Sequence, residues 1–156
     1  MKFNRWLCAL FLLLVVSVVQ SPGQATDAER KQFEAVKAKA DKGDAEALLN
    51  VAARYANGDG VARDPVKAAK YTRKAAEQGS ARAQCLLGLL CSNGDGVKIN
   101  KAEAAQWFRR AADQGMAEAQ FDLGMCYANG EGVPKSAAVA VEWYLKAAAQ
   151  DLPEAE

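Results

Sequence analysis

The chain carries no histidine. Every arrangement in which an imidazole activates a serine or cysteine, or holds a metal, is therefore excluded before geometry enters. The acyl-transfer motifs are absent too, since neither Ser-x-x-Lys nor Gly-x-Ser-x-Gly occurs. Asn57, Asp59 and Asp64 offer oxygens to calcium, but not at EF-hand spacing. Three Gly-x-Gly turns, Gly58–Gly60, Gly94–Gly96 and Gly130–Gly132, resemble phosphate cradles. A dinucleotide fingerprint needs a strand before the turn and a third glycine opening a helix, whereas a helical pattern precedes each turn here. The remaining carboxylates scatter over the surfaces of predicted helices. The reading is no catalytic residue, no metal and no cofactor.

What positions these residues is a repeat. A shift of 36 lays Gly58 on Gly94 and Gly130, Gly60 on Gly96 and Gly132, and Ala75 on Ala111 and Ala147. Tyr71 falls on Trp107 and Trp143. A period of this size marks stacked supersecondary units. Each unit reads helix, turn, helix, turn. The first helices are expected near 44–56, 81–92 and 117–128, and the second near 64–78, 100–114 and 136–150. Asp64, Asn100 and Ser136 share one slot, and all are good N-cap residues. Pro65 suits a first helical turn, and Gly79 and Gly115 suit helix ends. Residues 26–43 have helical composition and fit half a unit, with a charged surface suited to capping the stack.

Mid-helix Gly88 and Gly124 cost about 1 kcal/mol each relative to alanine, so their reuse implies that another helix presses close. The aromatic slot Tyr71, Trp107 and Trp143 is expected to fill the space beside them, as core rather than as a cofactor box.

At the amino end, Lys2 and Arg5 precede an apolar run from Trp6 to Val19, and Gly23-Gln24-Ala25 offers a small-x-small cleavage site. The run is shorter than the roughly 20 residues a membrane-spanning helix needs. Residues 1–25 therefore read as a cleaved export signal, with an uncleaved anchor as the alternative. The expected location is the bacterial periplasm, with membrane contact only transiently through the signal. Without Lys2 and Arg5 the 20 basic side chains fall to 18, against 19 acidic ones, and no basic stripe points to nucleic acid. Cys85, Cys91 and Cys126 then remain, an odd number in an oxidising setting. Cys91 and Cys126 lie on neighbouring units whose helix axes are expected about 8–10 Å apart, too far for easy bridging. Buried, unpaired thiols are the favoured reading.

The third unit brings together Ala119, Leu123, Gly124, Tyr127, Gly130, Gly132, Val133, Ala140, Trp143, Tyr144, Lys146, Ala147 and Ala148. This pattern, present three times over about 44–152, resembles the Sel-one-like repeat family, relatives of tetratricopeptide repeats. The first unit departs at Val51-Ala52 and Tyr71-Thr72, the second at Cys91, where a tyrosine contact is lost, and the third at Asp151. The resemblance implies an all-α, right-handed α-solenoid of three helix-turn-helix repeats with an N-terminal capping helix, used as a scaffold for protein contacts. The expected boundaries are 44–79, 80–115 and 116–151, with 152–156 beginning a further, truncated repeat. By analogy with tetratricopeptide arrays, the concave face carries Asn50, Arg54, Leu86, Leu90 and Asp122, a mixed groove suited to a peptide or helix. Some exported relatives are described as penicillin-binding, so the competing class is a hydrolase of cell-wall or β-lactam substrates.

The last helix differs from its predecessors. The slots of Ala69, Arg73 and Glu77 hold Val141, Leu145 and Ala149, and Lys67 and Glu103 become Val139. An apolar stripe of Val139, Val141, Leu145 and Ala149 is expected at the carboxy end, able to bind a partner, a second copy or further repeats.

Overall fold

The computed structural model describes residues 26–150. The expected export signal, Asp151 and the expected start of a further repeat lie outside the described residues. Seven helices follow one another: α1 (Asp27–Ala40), α2 (Ala45–Asn57), α3 (Pro65–Glu77), α4 (Ala81–Asn93), α5 (Lys101–Asp113), α6 (Ala117–Asn129) and α7 (Ala137–Ala148). No strand occurs among the described residues. The principal helix contacts all join consecutive helices. The expected solenoid of helical hairpins is thus present: α2–α3, α4–α5 and α6–α7 are the units, and α1 occupies the slot of a second helix.

Local chemistry sets the boundaries. Asp64, Asn100 and Ser136 accept from the backbone N–H three residues on, at 3.0, 3.1 and 3.3 Å. The N–H of each cap residue in turn donates to the carbonyl of Tyr55, Cys91 or Tyr127, which pins the turn to the first helix. Asp44 and Ser80 cap α2 and α4, while Met116 leaves α6 without a side-chain cap. Thr26 and Glu29 form a complete capping box on α1.

Val51, Leu87 and Leu123 share one slot and are fully buried, as are Ala75 and Ala111. The mid-helix glycines do face a neighbour, but not the expected one. A Cβ on Gly88 would lie 2.6 Å from Phe108 Cε1, and one on Gly124 would lie 2.6 Å from Tyr144 Cε1. The filler is the residue after the aromatic slot. In unit 1 the same two slots hold Ala52 and Thr72, so volume is exchanged across the pair. Tyr71 instead stacks on Tyr55 at 5.8 Å, and Arg110 and Lys146 lie over the rings of Trp107 and Trp143.

Units dock through backbone. Gly60, Gly96 and Gly132 sit at φ +72°, +72° and +73°. A Cβ there would collide with the carbonyl of Glu29, Pro65 or Lys101, each in the first turn of the preceding unit's second helix or of α1. At the opposite end of α3 and α5, Gln84 Nε2 donates to Ala76 O at 3.1 Å and Gln120 Nε2 to Ala112 O at 3.2 Å. Gln114 and Gln150 hold those two side chains in place by donating to their Oε1 atoms. Among the described residues every buried side-chain nitrogen and oxygen has a partner.

Gly96→Ala should cost more than Gly79→Ala, although both glycines have positive φ. At Gly79 nothing lies within 4 Å of the added methyl, so the loss is the left-handed penalty of about 1–2 kcal/mol. At Gly96 a backbone collision adds about 1–3 kcal/mol. Urea denaturation checks the order, and equal losses would contradict the close approach. Gly88→Ala and Phe108→Thr together, which copy unit 1, should cost less than the sum of the single losses by about 0.5–3 kcal/mol. A double-mutant cycle measures that term.

Candidate functional site

Asn50, Arg54, Leu86 and Leu90 come together. They line a groove of about 680 Å³ along α2 and α4, with Leu49, Glu46 and Arg82 beside them. Arg54 Nε donates to Asn50 Oδ1 at 2.9 Å, which fixes the guanidinium along the helix. The groove offers exposed or half-exposed leucines between side chains of both charges, and no concentration of one sign. It can take apolar side chains between hydrogen-bonding groups.

Asp122 is not in that groove. It lines a separate depression of about 700 Å³ at the carboxy end, with Glu118, Phe121, Tyr144 and Ala148. Of the expected stripe on α7, Val141 is 53% and Leu145 65% exposed. Ala149 is also exposed, while Val139 is half-buried against the core. The preceding units explain the contrast. Ala69 and Ala105, in the slot of Val141, are 1% and 3% exposed because another unit follows them. Phe121 is 51% exposed where Cys85, in the same slot, is buried.

Sequence reasoning missed the polar clasps between units. Arg73 Nη1 bridges to Glu103 Oε1 at 2.8 Å, which holds the Glu103 carboxyl below the usual range and raises Arg73. In the next junction Val139 replaces the glutamate, and Arg109 turns instead to the Tyr127 hydroxyl and lies over the Trp143 ring. Sequence separation hides such pairs. Lining up Arg73 with Arg109 and Glu103 with Val139 is the one signal that points to them. Phe121 also escaped notice, because its slot is apolar in every unit and only the end of the stack exposes it.

Among the described residues the cysteines, Cys85, Cys91 and Cys126, are free and buried. Burial pushes the Cys85 thiol up to about 12, helped by Asp122 and Glu118, and the Cys126 thiol up to about 11. Cys91 is raised by burial too. Such thiols stay protonated at neutral pH and are poor nucleophiles and poor ligands. Among the described residues no group of three acidic or cysteine side chains is placed to hold a metal, and no helix is long and apolar enough to cross a membrane.

Cys85, Cys91 and Cys126 should resist iodoacetamide at pH 8 in the folded protein and react readily in guanidinium. Peptide mass mapping reads this, and fast native alkylation at Cys85 would contradict its burial. Burial also raises the Asp122 carboxyl above the ordinary 3.8. The folded state then binds the proton more tightly than the unfolded state, so stability falls as pH rises through that window. Asp122→Asn should therefore raise the denaturation midpoint at pH 7, with the gain shrinking as the pH approaches 3.

The chain's likeness to known proteins agrees with this geometry. The Sel1 repeat family matches residues 45–80, 81–116 and 117–152. A Sel1 repeat protein from Oxalobacter formigenes is 37% identical with a TM-score of 0.75, over 78% of this chain and 50% of its own. A protective antigen of uropathogenic Escherichia coli displaying an SLR fold is 34% identical with a TM-score of 0.62, over 76% of this chain and 33% of its own. The chain thus spans half the length of the first and a third of the second. Helicobacter pylori cysteine rich protein B shares the fold at 23% identity and a TM-score of 0.61, over 77% of this chain and 89% of its own. No curated protein matches the chain. With three consecutive matches across most of its length, the chain belongs to the Sel1 repeat family.

Proposed function

We propose that this protein is a non-enzymatic scaffold that holds a peptide or protein partner in the groove along α2 and α4. Sel1 repeat proteins are in general scaffolds for protein–protein interaction. The observation that carries the reading for this chain is the juxtaposition of Asn50, Arg54, Leu86 and Leu90 in one groove. Leu86 and Leu90, one turn apart on α4, give pockets for side chains, and the Asn50–Arg54 pair gives hydrogen bonds to a backbone, the combination peptide recognition uses. Protonated thiols and the absence of histidine remove the Cys-His and Ser-His routes to hydrolysis.

Export through residues 1–25 and residence in the periplasm complete the proposal. The basic start, short apolar run and Gly23-Gln24-Ala25 support it. The antigenic character of the E. coli relative accords with export.

Selection of a phage-displayed library of random linear peptides on the purified protein should enrich binders. Leu86→Lys with Leu90→Lys should weaken them at least about tenfold, or 1.4 kcal/mol. Failure to enrich, or binders indifferent to the double variant, would remove the groove reading. Nitrocefin should not be turned over. Alkaline phosphatase fused after residue 40 should be active in cells, and inactive when residues 1–25 are deleted.

A further inference from the structure

The groove along α2 and α4 owes its depth to one departure from the repeat. In units 2 and 3 a glycine on the first helix has an aromatic ring pressed against it, Phe108 on Gly88 and Tyr144 on Gly124. Unit 1 has Ala52 and Thr72 in those slots. The exchange of volume there is incomplete, because Ala52 adds one methyl group whereas Thr72 gives up a whole ring. Ala52, Ala68 and Thr72 form the buried part of the groove lining, while Leu86 and Leu90 lie nearer the surface. The space that Phe108 and Tyr144 fill from inside is thus reached, in unit 1, from the groove.

The floor is apolar. Ala52 and Ala68 present methyl groups, and the Thr72 hydroxyl is occupied in donating to Ala68 O at 3.0 Å. Among the described residues no buried side-chain nitrogen or oxygen lacks a partner, so nothing on this floor calls for a polar group. The rest of the lining sets Glu29, Glu46 and Asp59 against Arg54 and Arg82. With the two signs so nearly balanced, charge complementarity favours an uncharged insert over an ammonium or a carboxylate. Size agrees with a ring. An apolar cavity of roughly 150 Å³ holds benzene, and the groove, at about 680 Å³, leaves room for the backbone on either side. A ring arriving from outside enters tip first. Tyrosine would then bury its hydroxyl among methyl groups without a partner, which phenylalanine avoids.

We infer that this pocket takes a phenylalanine side chain of the partner peptide, seated against Ala52, Ala68 and Thr72 as Phe108 is seated against Gly88. The inference rests on the groove being the partner site and specifies the residue that anchors there. Peptides enriched on the full chain from the random linear library should share a phenylalanine. With one of them bound, ring currents should shift the methyl signals of Ala52, Ala68 and Thr72. Replacing its phenylalanine by alanine should weaken binding at least about thirtyfold, and by tyrosine about tenfold. Ala52→Gly with Thr72→Phe supplies the ring from inside, copying unit 2. That variant should keep the helical circular dichroism signal and bind the same peptide at least about thirtyfold more weakly. Should it not fold, the methyl shifts and the alanine peptide decide. Enriched peptides without a shared phenylalanine, its replacement by alanine or tyrosine without loss, or unshifted methyl signals would each overturn the inference. If the peptides depend on Leu86 and Leu90 yet tolerate Ala52→Gly with Thr72→Phe, the groove reading stands and the phenylalanine anchor falls. If no peptide is enriched, both fall. Binding that appears only once residues 1–25 are deleted, or a dimer that the double variant abolishes, would also overturn the inference, because the chain itself would then supply the ring.

Discussion

The contact on which the stack depends is backbone against backbone. The second glycine of each turn lies so close to the first turn of the preceding unit's second helix, or of α1, that no Cβ fits between them. This fixes the separation and tilt of successive units at a point where neither side can yield. The turn also bonds back to its own first helix, through Asp64, Asn100 or Ser136, so the hairpin and the junction are set by the same few residues. A unit cannot adopt its turn independently of its neighbour. That is the physical content of describing repeats as nearest-neighbour stacks.

Around this invariant contact the side chains vary in compensated pairs. Where the first helix has Ala52, the second has Thr72, and where it has Gly88 or Gly124, the second has Phe108 or Tyr144. In units 2 and 3 the ring fills the space beside the glycine, as close-packed interiors require. Polar junctions behave alike. Arg73 finds Glu103 in a unit whose tyrosine slot holds Cys91, and Arg109 finds Tyr127 in a unit whose glutamate slot holds Val139. Gln84 and Gln120 each satisfy a helix-end carbonyl of the unit before them. The corresponding slot in unit 2's predecessor holds Leu48, which follows α1 rather than a full unit. What persists along the stack is the satisfaction of each junction, by whichever residues are available.

The fold was legible in the chain because its determinants are local and recur at one spacing. The caps at Asp64, Asn100 and Ser136, the proline at 65 and the first glycine of each turn act within a few residues of themselves, and the structure places them where their types require. The partner of Gly88 and Gly124 was misread by one residue. A period identifies equivalent slots but not the direction in which a slot points, and one step along a helix turns it by about 100°. For the candidate site, helical spacing was enough to gather Asn50, Arg54, Leu86 and Leu90. It could not place Asp122, because the depression there is formed with Tyr144 and Ala148 on the other helix of the same hairpin, and is seen only where no further unit is described. Arg73 and Glu103 are distant in sequence and lie in different slots, so no single-unit pattern exposes them.

The two ends of the described stack have opposite characters. At the amino end, α1 buries Phe33 edge-on against Tyr55 at 5.3 Å and turns charged residues outward, with its own capping box closing its first turn. At the carboxy end, α7 has a principal neighbour on one side only, α6, and keeps Val141 and Leu145 in solvent. In a stack whose units are held by their neighbours, a hairpin held at one junction opens before one held at two. Any ligand that binds the closed form of that hairpin stabilises it in proportion to its occupancy. The groove along α2 and α4 lies between α1 and the third unit, where both junctions are made, so a ligand there meets a surface already held. A ligand in that groove would likewise bind only the folded stack and stabilise it by mass action, tying α2 to α4 across the first junction.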